Sequence, residues 1–150
     1  SRLEPSARWP VEQLVLTVDA TAHPAPVLSW VQCRGFLSPQ AMIQSYSQVD
    51  ALLFLSKDES YGFPLVEAMY VGLPIVCPDL PYARTLCGDH AFYFDPDHPE
   101  SLRQALMLLK SSLDQGWWPD WQDRLVNIPQ DWDIVARKML SVACGTLMQY

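Results

Sequence analysis

The stretch of residues 51–77 constrains the fold more than any other part of the chain. Two short apolar runs, Ala51–Leu55 and Leu73–Cys77, have the length and composition of buried strands. Between them, Pro64 suits the first position of a helix, and Gly72 suits the left-handed residue that closes its last turn. A strand, a helix and a strand in this order predict a parallel α/β sheet, which binds ligands beyond the carboxyl ends of its strands.

The start of this predicted helix has the features of an anion-binding site. Phe63 takes the capping position and has no side-chain oxygen that could accept a hydrogen bond. We therefore expect the N–H groups of Leu65 and Val66 to remain free. A phosphate would satisfy them and interact favourably with the helix dipole. Gly62, directly before, lets the backbone approach a ligand closely.

Two glutamates flank the helix start, Glu59 in the preceding loop and Glu67 in the first helical turn. Carboxylates repel phosphate, but they accept hydrogen bonds from hydroxyl groups, and dinucleotide-binding folds use an acidic side chain on the ribose in this way. Two acids around an anion site indicate a ligand with sugar on both sides of a phosphate, such as a nucleotide sugar. The ordinary alternative is that both glutamates are solvated surface charges.

Residues 59–74 read E-S-Y-G-F-P-L-V-E-A-M-Y-V-G-L-P. This run resembles the Glu-x7-Glu signature of retaining glycosyltransferases with the GT-B fold, above all glycosyltransferase family 4, also called group 1. That family commonly reads E-G-F-G-L-P-x-x-E-A-x-A-x-G-x-P. The matching positions are Glu59, Gly62, Pro64, Glu67, Ala68, Gly72 and Pro74, whereas Ser60, Tyr61, Phe63 and Tyr70 differ. The resemblance extends over residues 11–109.

The resemblance implies roles for individual residues. In this family the second glutamate binds the ribose, which points to Glu67, and the first lies beside the donor sugar, which makes Glu59 the catalytic candidate. The donor-binding candidates are Glu67, Ser60, Tyr61, Gly62, Phe63, Pro64, Leu65 and Val66, with the backbone of Phe36 and Leu37 flanking the base. Because the family is generally independent of metal, we expect no metal site and no cofactor, and the nucleotide sugar is the substrate.

By the same resemblance, residues 1–150 are one truncated domain, the carboxyl-terminal half of a GT-B fold, and the amino-terminal acceptor domain is absent. The implied enzyme transfers a hexose-type sugar in bacterial surface polysaccharide or glycoconjugate synthesis, and the fragment alone is expected to be inactive. The Arg and Lys that neutralise the diphosphate in this family have no match, because Arg2 and Arg8 follow no strand. Lys57 and Arg84 are the cations nearest to the site and are more typical of surface charges.

Two other functions remain open. The chain could be a noncatalytic partner-binding module of the same fold, or part of another GT-B-like enzyme such as a sugar-nucleotide epimerase. An epimerase needs catalytic acids and a histidine, and the sequence offers no recognisable arrangement of them. No residue pattern specifies the base, the sugar or the acceptor.

The composition excludes several classes of protein. A net charge of −7 argues against a nucleic-acid partner, and no apolar run is long enough to span a membrane. The four cysteines have no C-x-x-C spacing, which favours free thiols in a cytoplasmic protein over a metal site. The expected partners are the nucleotide sugar and the missing amino-terminal domain. Peripheral membrane association of the full-length protein is a further alternative.

Hydrophobic periodicity and capping residues predict the remaining elements. Strands are expected at residues 13–18, 27–31 and 91–94, and helices at 38–48, 79–87, 99–113 and from Trp132 toward Met148. This alternation predicts a Rossmann-like parallel sheet with helices on both faces. Met42, Tyr46 and Val49 recur at helical spacing and are interpreted as core residues. The tryptophans within residues 116–121 are interpreted as anchors for a terminal helix.

Overall fold

The computed structural model describes residues 9–22, 28–129, 131, 133–134 and 136–137. In chain order, the strands of this part are β1 (Leu14–Leu16), β2 (Val31–Cys33), β3 (Leu52–Leu53), β4 (Ile75–Pro78) and β5 (Phe92–Phe94). The helices are α1 (Pro39–Tyr46), α2 (Phe63–Tyr70), α3 (Pro81–Cys87), α4 (Pro99–Asp114) and α5 (Gln122–Leu125), and a 3₁₀ turn spans Ala20–Ala22. The alternation of strands and helices confirms the predicted α/β class.

Every strand pair in the described residues is parallel. β1 pairs with β2, and β4 lies between β3 and β5, so hydrogen bonding forms one two-stranded and one three-stranded sheet. The parallel arrangement is therefore as predicted, but the described strands do not join into a single hydrogen-bonded sheet. Because parallel strands share a direction, the carboxyl ends of β3, β4 and β5 meet at one edge of the three-stranded sheet.

The three-stranded sheet is covered on both faces, as predicted. Alternate residues of a strand point to opposite faces, and on β4 Ile75 and Cys77 belong to one core while Val76 belongs to another. The first core contains buried residues of α2 and α3, and the second contains buried residues of α4. The central strand is consequently shielded from water on each side.

The second strand lies further along the chain than its sequence indicates. Residues 29–30 form a turn, in which the N–H of Val31 donates to the carbonyl of Leu28 at 3.1 Å, and the strand occupies Val31–Cys33. The prediction of a strand over residues 27–31 is wrong. The strand position follows from the pairing with β1, which sets Leu14 opposite Val31, and local hydrophobicity does not encode such a register.

Helix α1 begins where its sequence predicts. The Oγ of Ser38 accepts the N–H of Ala41 at 3.2 Å, and Pro39 is the first helical residue. The helix ends at Tyr46, two residues before the predicted end at Gln48. Tyr46 is buried, and Met42 and Val49 pack against the same core, which confirms the interpretation of all three as core residues.

The segment after α4 fastens α5 to the core through two of its tryptophans. Trp121 is buried and its Nε1–H donates to the carbonyl of Leu73 at 2.9 Å. The ring of Trp117 meets Phe92 edge-on at a centroid distance of 5.2 Å. The helix predicted from Trp132 falls largely outside the described residues. Among the helices that the structure describes, none combines the length and apolar character needed to cross a bilayer.

Candidate functional site

The candidate site lies at the β3–α2 junction, which comprises residues 54–63 and follows the carboxyl end of β3. Gly62 precedes α2 in a left-handed conformation with φ of 86°, and Phe63 and Pro64 are the first two helical residues. The prediction placed Phe63 at the capping position and Pro64 first, and it is wrong by one residue. A left-handed residue cannot belong to the helix, so the helix begins directly after Gly62. At the other end, Gly72 has a φ of 77°, as predicted for the residue that follows the helix.

The amides at the start of α2 are less available than the sequence suggests. Leu65 and Val66 both donate to the carbonyl of Gly62, at N···O distances of 3.0 and 3.4 Å. The expectation that these two N–H groups are free is therefore wrong. Pro64 has no N–H, and within the part of the chain that the structure describes, the N–H of Phe63 has no hydrogen-bond acceptor. The anion-binding capacity of the helix start is thus concentrated at Phe63.

The inner side of the helix start is closed by α3. A Cβ added to Gly62 would lie 3.2 Å from Cδ1 of Leu86 and 3.3 Å from Cδ1 of Leu65. Packing and the positive φ both require glycine here, in addition to any close approach of a ligand. The outer side is open, because the Phe63 side chain is 59% exposed. Its ring lies 5.2 Å from that of Tyr61, also exposed.

Glu67 lies on the exposed side of α2, in the middle of the helix, so the prediction that it falls in the first turn is wrong. Among the described residues it makes one side-chain hydrogen bond. The hydroxyl of Tyr46, at the end of α1, donates to its Oε2 at 2.9 Å. Burial, and then this hydrogen bond to Glu67, raises the pKa of Tyr46 well above its usual range, so the phenol stays protonated. The carboxylate keeps its remaining lone pairs for other donors.

Glu59 lies half-buried in the loop before α2. Among the described residues, its carboxylate has neither a hydrogen-bond donor nor an ion-pair partner. It lies near Tyr82 of α3, whose hydroxyl donates to the carbonyl of Ser56 at 2.5 Å. Burial, followed by the influence of Cys77 and Glu59, raises the pKa of Tyr82 to about 12. Tyr82 thus links α3 to the loop that carries Glu59.

The remaining candidate residues differ in their exposure and in their distance along the chain from the two glutamates. Ser60 is exposed, and Pro64 is half-buried. Leu65 and Val66 are buried, so their side chains belong to the hydrophobic core. Phe36, which is 95% exposed, and Leu37 lie between β2 and α1. The connection from that loop to Glu67 is indirect and runs along α1 to the Tyr46 hydroxyl.

The two cations near the junction are already paired. Arg84 forms two hydrogen bonds with Asp79, at 2.6 and 2.8 Å, and its guanidinium lies 3.6 Å from the ring centroid of Tyr93. The hydrogen bonds from Arg84 lower the pKa of the Asp79 carboxyl. Lys57 pairs with Asp97 at 2.7 Å, and both side chains are exposed. These contacts agree with the interpretation of both cations as ordinary surface charges.

An open cavity lies to one side of the glutamates. It has a volume of about 230 Å³ and lies between the β3–α2 junction and the β5–α4 junction, the latter defined here as residues 95–99. Its walls are Leu55, Lys57, Phe94, Asp95, Pro96, His98, Pro99 and Leu102. Glu59 and Glu67 are not among the walls of this cavity, and the chemistry of the side chains favours the β3–α2 junction as the candidate site.

Two tyrosines of the site are not evident from the sequence. Tyr46 was interpreted as a core residue, and it is one, but its hydroxyl also reaches Glu67 across 21 positions of sequence. Tyr82 is connected to Ser56 across 26 positions. Helical spacing correctly indicates that Tyr46 is buried, yet a tyrosine in place of an aliphatic residue is the only signal of the polar contact.

Comparison with known proteins identifies the family of the chain. The sequence profile described as "Glycosyl transferases group 1" matches residues 22–114, which is more than half of the chain. The serotype-specific mannosyltransferase WbdA of Escherichia coli is 32% identical over 98 residues, covering 65% of this chain and 12% of that protein. The O-antigen chain mannosyltransferase B of Escherichia coli is 25% identical over 88 residues, which cover 59% of this chain and 23% of that protein.

A third relative, the O-antigen chain mannosyltransferase RfbU of Salmonella typhimurium, is 34% identical over 61 residues, covering 41% of this chain and 17% of that protein. The chain thus corresponds to a small part of each of these longer proteins. The profile match includes the whole β3–α2 junction and both candidate glutamates. The α/β fold, the sequence of the junction and the profile lead to the same result: the chain belongs to the group 1 family of glycosyl transferases.

Proposed function

We propose that this chain is the donor-binding domain of a retaining glycosyltransferase, which transfers a hexose-type sugar from a nucleotide diphosphate in bacterial surface polysaccharide or glycoconjugate synthesis. Family membership and the names of the relatives, all mannosyltransferases, support this proposal. The observation that carries it is the β3–α2 junction. It presents two carboxylates on either side of a helix start, of which Glu59 has no partner among the described residues and Glu67 is exposed.

Glu67 binds the ribose of the donor. Its carboxylate is exposed, and a carboxylate has about four lone-pair sites, of which the Tyr46 hydroxyl occupies one. The others suffice for two neighbouring hydroxyls. A ribose placed here sets the diphosphate toward the start of α2, and Phe36 and Leu37 flank the base from the loop before α1.

The diphosphate interacts with the backbone around Gly62 and Phe63. The free N–H of Phe63 lies at the positive end of the α2 dipole, where a negative group is stabilised. Lys57 and Arg84 are paired with aspartates, so the cations that neutralise the diphosphate come from elsewhere in the full-length protein. Stabilisation of the departing diphosphate is the main catalytic contribution in this proposal.

Glu59 acts on the sugar. Its half-buried carboxylate has no protein donor or cation among the described residues, so its charge is available to a ligand. It stabilises the positive charge that develops at the anomeric carbon as the diphosphate departs, and it is not a nucleophile. The structure offers no metal-binding group of three or more His, Cys, Asp or Glu in the described residues.

Titration of UDP, GDP and ADP, and of their sugars, into the full-length protein tests the proposal. Glu67→Ala is expected to weaken binding by about 1–3 kcal/mol, because it removes a charged acceptor. Asp114→Ala, at an exposed acid of α4 that pairs with Lys110, is the matched control and should leave binding unchanged. A folded Glu67→Ala protein with wild-type affinity would contradict the ribose role.

One observation favours a noncatalytic binding module as the second candidate. Both cations near the junction are held by aspartates, so this part of the chain supplies no free positive charge for a diphosphate. A full-length protein without a second Rossmann-like domain and without a basic segment before β1 would support that function. Sugar transfer that depends on Glu59 would exclude it.

A further inference from the structure

The contact between Tyr46 and Glu67 joins two helices that are remote in sequence. Tyr46 is the last residue of α1, and Glu67 lies in the middle of α2. The tyrosine is only 6% exposed, whereas the glutamate is exposed. A phenol whose ring is fixed in the core thus donates its O–H, at 2.9 Å, to a carboxylate at the surface.

We propose that Tyr46 is a positioning residue for donor binding, which holds the Glu67 carboxylate in the orientation that receives two ribose hydroxyls. This inference rests on the proposed function of Glu67. The Tyr46 hydroxyl takes one lone pair of Oε2, and Oε1 and the other lone pair of Oε2 remain for the ligand. The contact therefore selects a direction for the carboxylate without blocking it.

The contact matters because Glu67 is otherwise free to move. A glutamate side chain has three rotatable bonds, and an exposed one loses this freedom when it binds a ligand. A hydrogen bond to a rigid buried ring removes part of that freedom before the ligand arrives. Binding sites gain affinity when the groups that contact the ligand are held by a second set of residues in this way.

The protonation of Tyr46 agrees with this role. Burial, and next the hydrogen bond with Glu67, raises the pKa of the phenol well above its usual range. The O–H is therefore present at neutral pH and well above it, and it can donate to Glu67. Phenylalanine at this position would keep the ring in the core, and the hydroxyl is the group that contacts Glu67.

Tyr46→Phe in the full-length protein tests the inference. The probes are UDP, GDP and ADP, each compared with its 2′,3′-dideoxy analogue, which lacks both ribose hydroxyls. The wild type is expected to prefer the hydroxylated nucleotide that it binds best. Tyr46→Phe should weaken binding of that nucleotide about three- to tenfold, the usual range for one hydrogen bond, and should leave binding of the dideoxy analogue unchanged.

Tyr93→Phe is the matched control. Tyr93 is half-buried, whereas Tyr46 is buried, and the Tyr93 hydroxyl likewise makes one hydrogen bond, donating to the carbonyl of Gly88 at 2.6 Å. Both substitutions remove one hydroxyl and keep the ring, so thermal unfolding of the two proteins measures the purely structural cost. Tyr93→Phe should retain full discrimination between nucleotide and dideoxy analogue.

Adding Tyr46→Phe to Glu67→Ala should cause no further loss of affinity, because the two residues act as one unit.

The outcomes separate this inference from the proposed function. Equal weakening of both nucleotides by Tyr46→Phe, or no weakening of either, overturns the positioning role, and the proposed function stands if Glu67→Ala still loses affinity. If the wild type binds none of the nucleotides, or Glu67→Ala binds them normally, the proposed function fails and the inference fails with it. Loss of discrimination in Tyr46→Phe alone, with Tyr93→Phe unaffected, supports both.

Discussion

The β3–α2 and β5–α4 junctions are equivalent in the fold but differ in how completely their polar groups are hydrogen-bonded. Each leads from the carboxyl end of a strand in the three-stranded sheet into a helix with proline in its first turn. At the β5–α4 junction, Asp95 accepts the N–H of Asp97 and a ring nitrogen of His98, and its own N–H donates to Ser101. The polar groups of this loop are thus bonded to one another.

The β3–α2 junction leaves comparable groups open. The Glu59 carboxylate and the Phe63 N–H have no partner among the described residues, and Glu67 is held by a single phenol. Of these residues only Glu59 is half-buried, whereas Phe63 and Glu67 are exposed. A half-buried carboxylate without a partner is unfavourable for stability, and this supports the proposal of a ligand site at the β3–α2 junction. Residues of both junctions line the cavity, but neither Glu59 nor Glu67 is among them, so the shape of the surface alone does not identify the candidate site.

The largest expected effect concerns the backbone of the two junctions. The residue before α2 has a φ of 86°, whereas His98, before α4, has a φ of −123°, which any residue adopts. Gly62→Ala should lower the free energy of unfolding by about 2–4 kcal/mol, through the left-handed backbone and the contact with Leu86. His98→Ala should have a much smaller effect in the same urea unfolding experiment.

Gly116→Ala measures separately how much a left-handed backbone position contributes to the free energy of unfolding. Gly116 has a φ of 80° and nothing within 4 Å of an added Cβ, so its substitution tests the conformation without the packing. Gly116→Ala should lower the free energy of unfolding by about 1–2 kcal/mol. If Gly62→Ala costs no more than Gly116→Ala, the packing of α3 against the helix start is not a constraint, and the left-handed backbone alone accounts for glycine there.

The next effect concerns catalysis by the full-length protein. Glu59→Gln keeps the shape of the side chain but removes its charge, and it should lower the rate of sugar transfer about 100-fold, with little change in affinity for the nucleotide diphosphate. Asp97→Asn, at the β5–α4 junction, should leave the rate within about twofold of the wild type, as expected for a surface substitution. Equal losses in the two variants would remove the distinction between the junctions.

The sequence predicts the order of elements and the position of the site, because both depend on local patterns. Apolar runs, the proline after Ser38 and the glycine after α2 place strands and helices close to where the structure has them. The start of α2 is predicted one residue late, because no local rule shows that Gly62 is left-handed. The second strand is misplaced for the related reason that its register depends on β1.

Contacts between distant residues could not be predicted in this way. The Tyr46–Glu67 hydrogen bond and the Lys57–Asp97 pair join residues 21 and 40 positions apart. Periodicity indicates which side of a helix is buried, but the partner of a polar atom depends on how helices pack. The ligand roles of Glu59 and Glu67 stay predictions, which depend on the resemblance and on the open hydrogen-bonding capacity of the junction.

The two junctions should respond to opposite ends of the pH scale. The pKa of Tyr82 is raised from 10.0 to about 12, so its stabilising contribution is complete below pH 10 and is lost as the pH rises toward 12. The pKa of Asp95 is lowered from 3.8 by the N–H of Asp97 and by His98, so its contribution is complete above that value and is lost as the pH falls below it. The free energy of unfolding, measured across the pH range, should therefore decrease at both the acid and the alkaline end.

Substitutions at Tyr82 and Asp95 test which junction causes each loss of stability. Tyr82→Phe should flatten the alkaline limb of the stability curve and leave the acid limb unchanged, and Asp95→Asn should do the reverse. Because Tyr46 and Tyr93 also have raised pKa values, part of the alkaline loss should persist in Tyr82→Phe. An unchanged alkaline limb would show that Tyr82 does not hold the loop of Glu59 in place.

The smallest expected effect concerns the lysine that connects the two junctions. Lys57 belongs to the β3–α2 junction, but its ammonium pairs with Asp97 in the other loop. Lys57→Ala should change the free energy of unfolding by less than about 0.5 kcal/mol, because both side chains are exposed, and it should change the affinity for a nucleotide diphosphate by no more than that. Titration at two salt concentrations measures both the affinity and its electrostatic part. A loss of tenfold or more, strongest at low salt, would mean that the ion pair opens and that the ammonium turns to the diphosphate, so that the two junctions form one site.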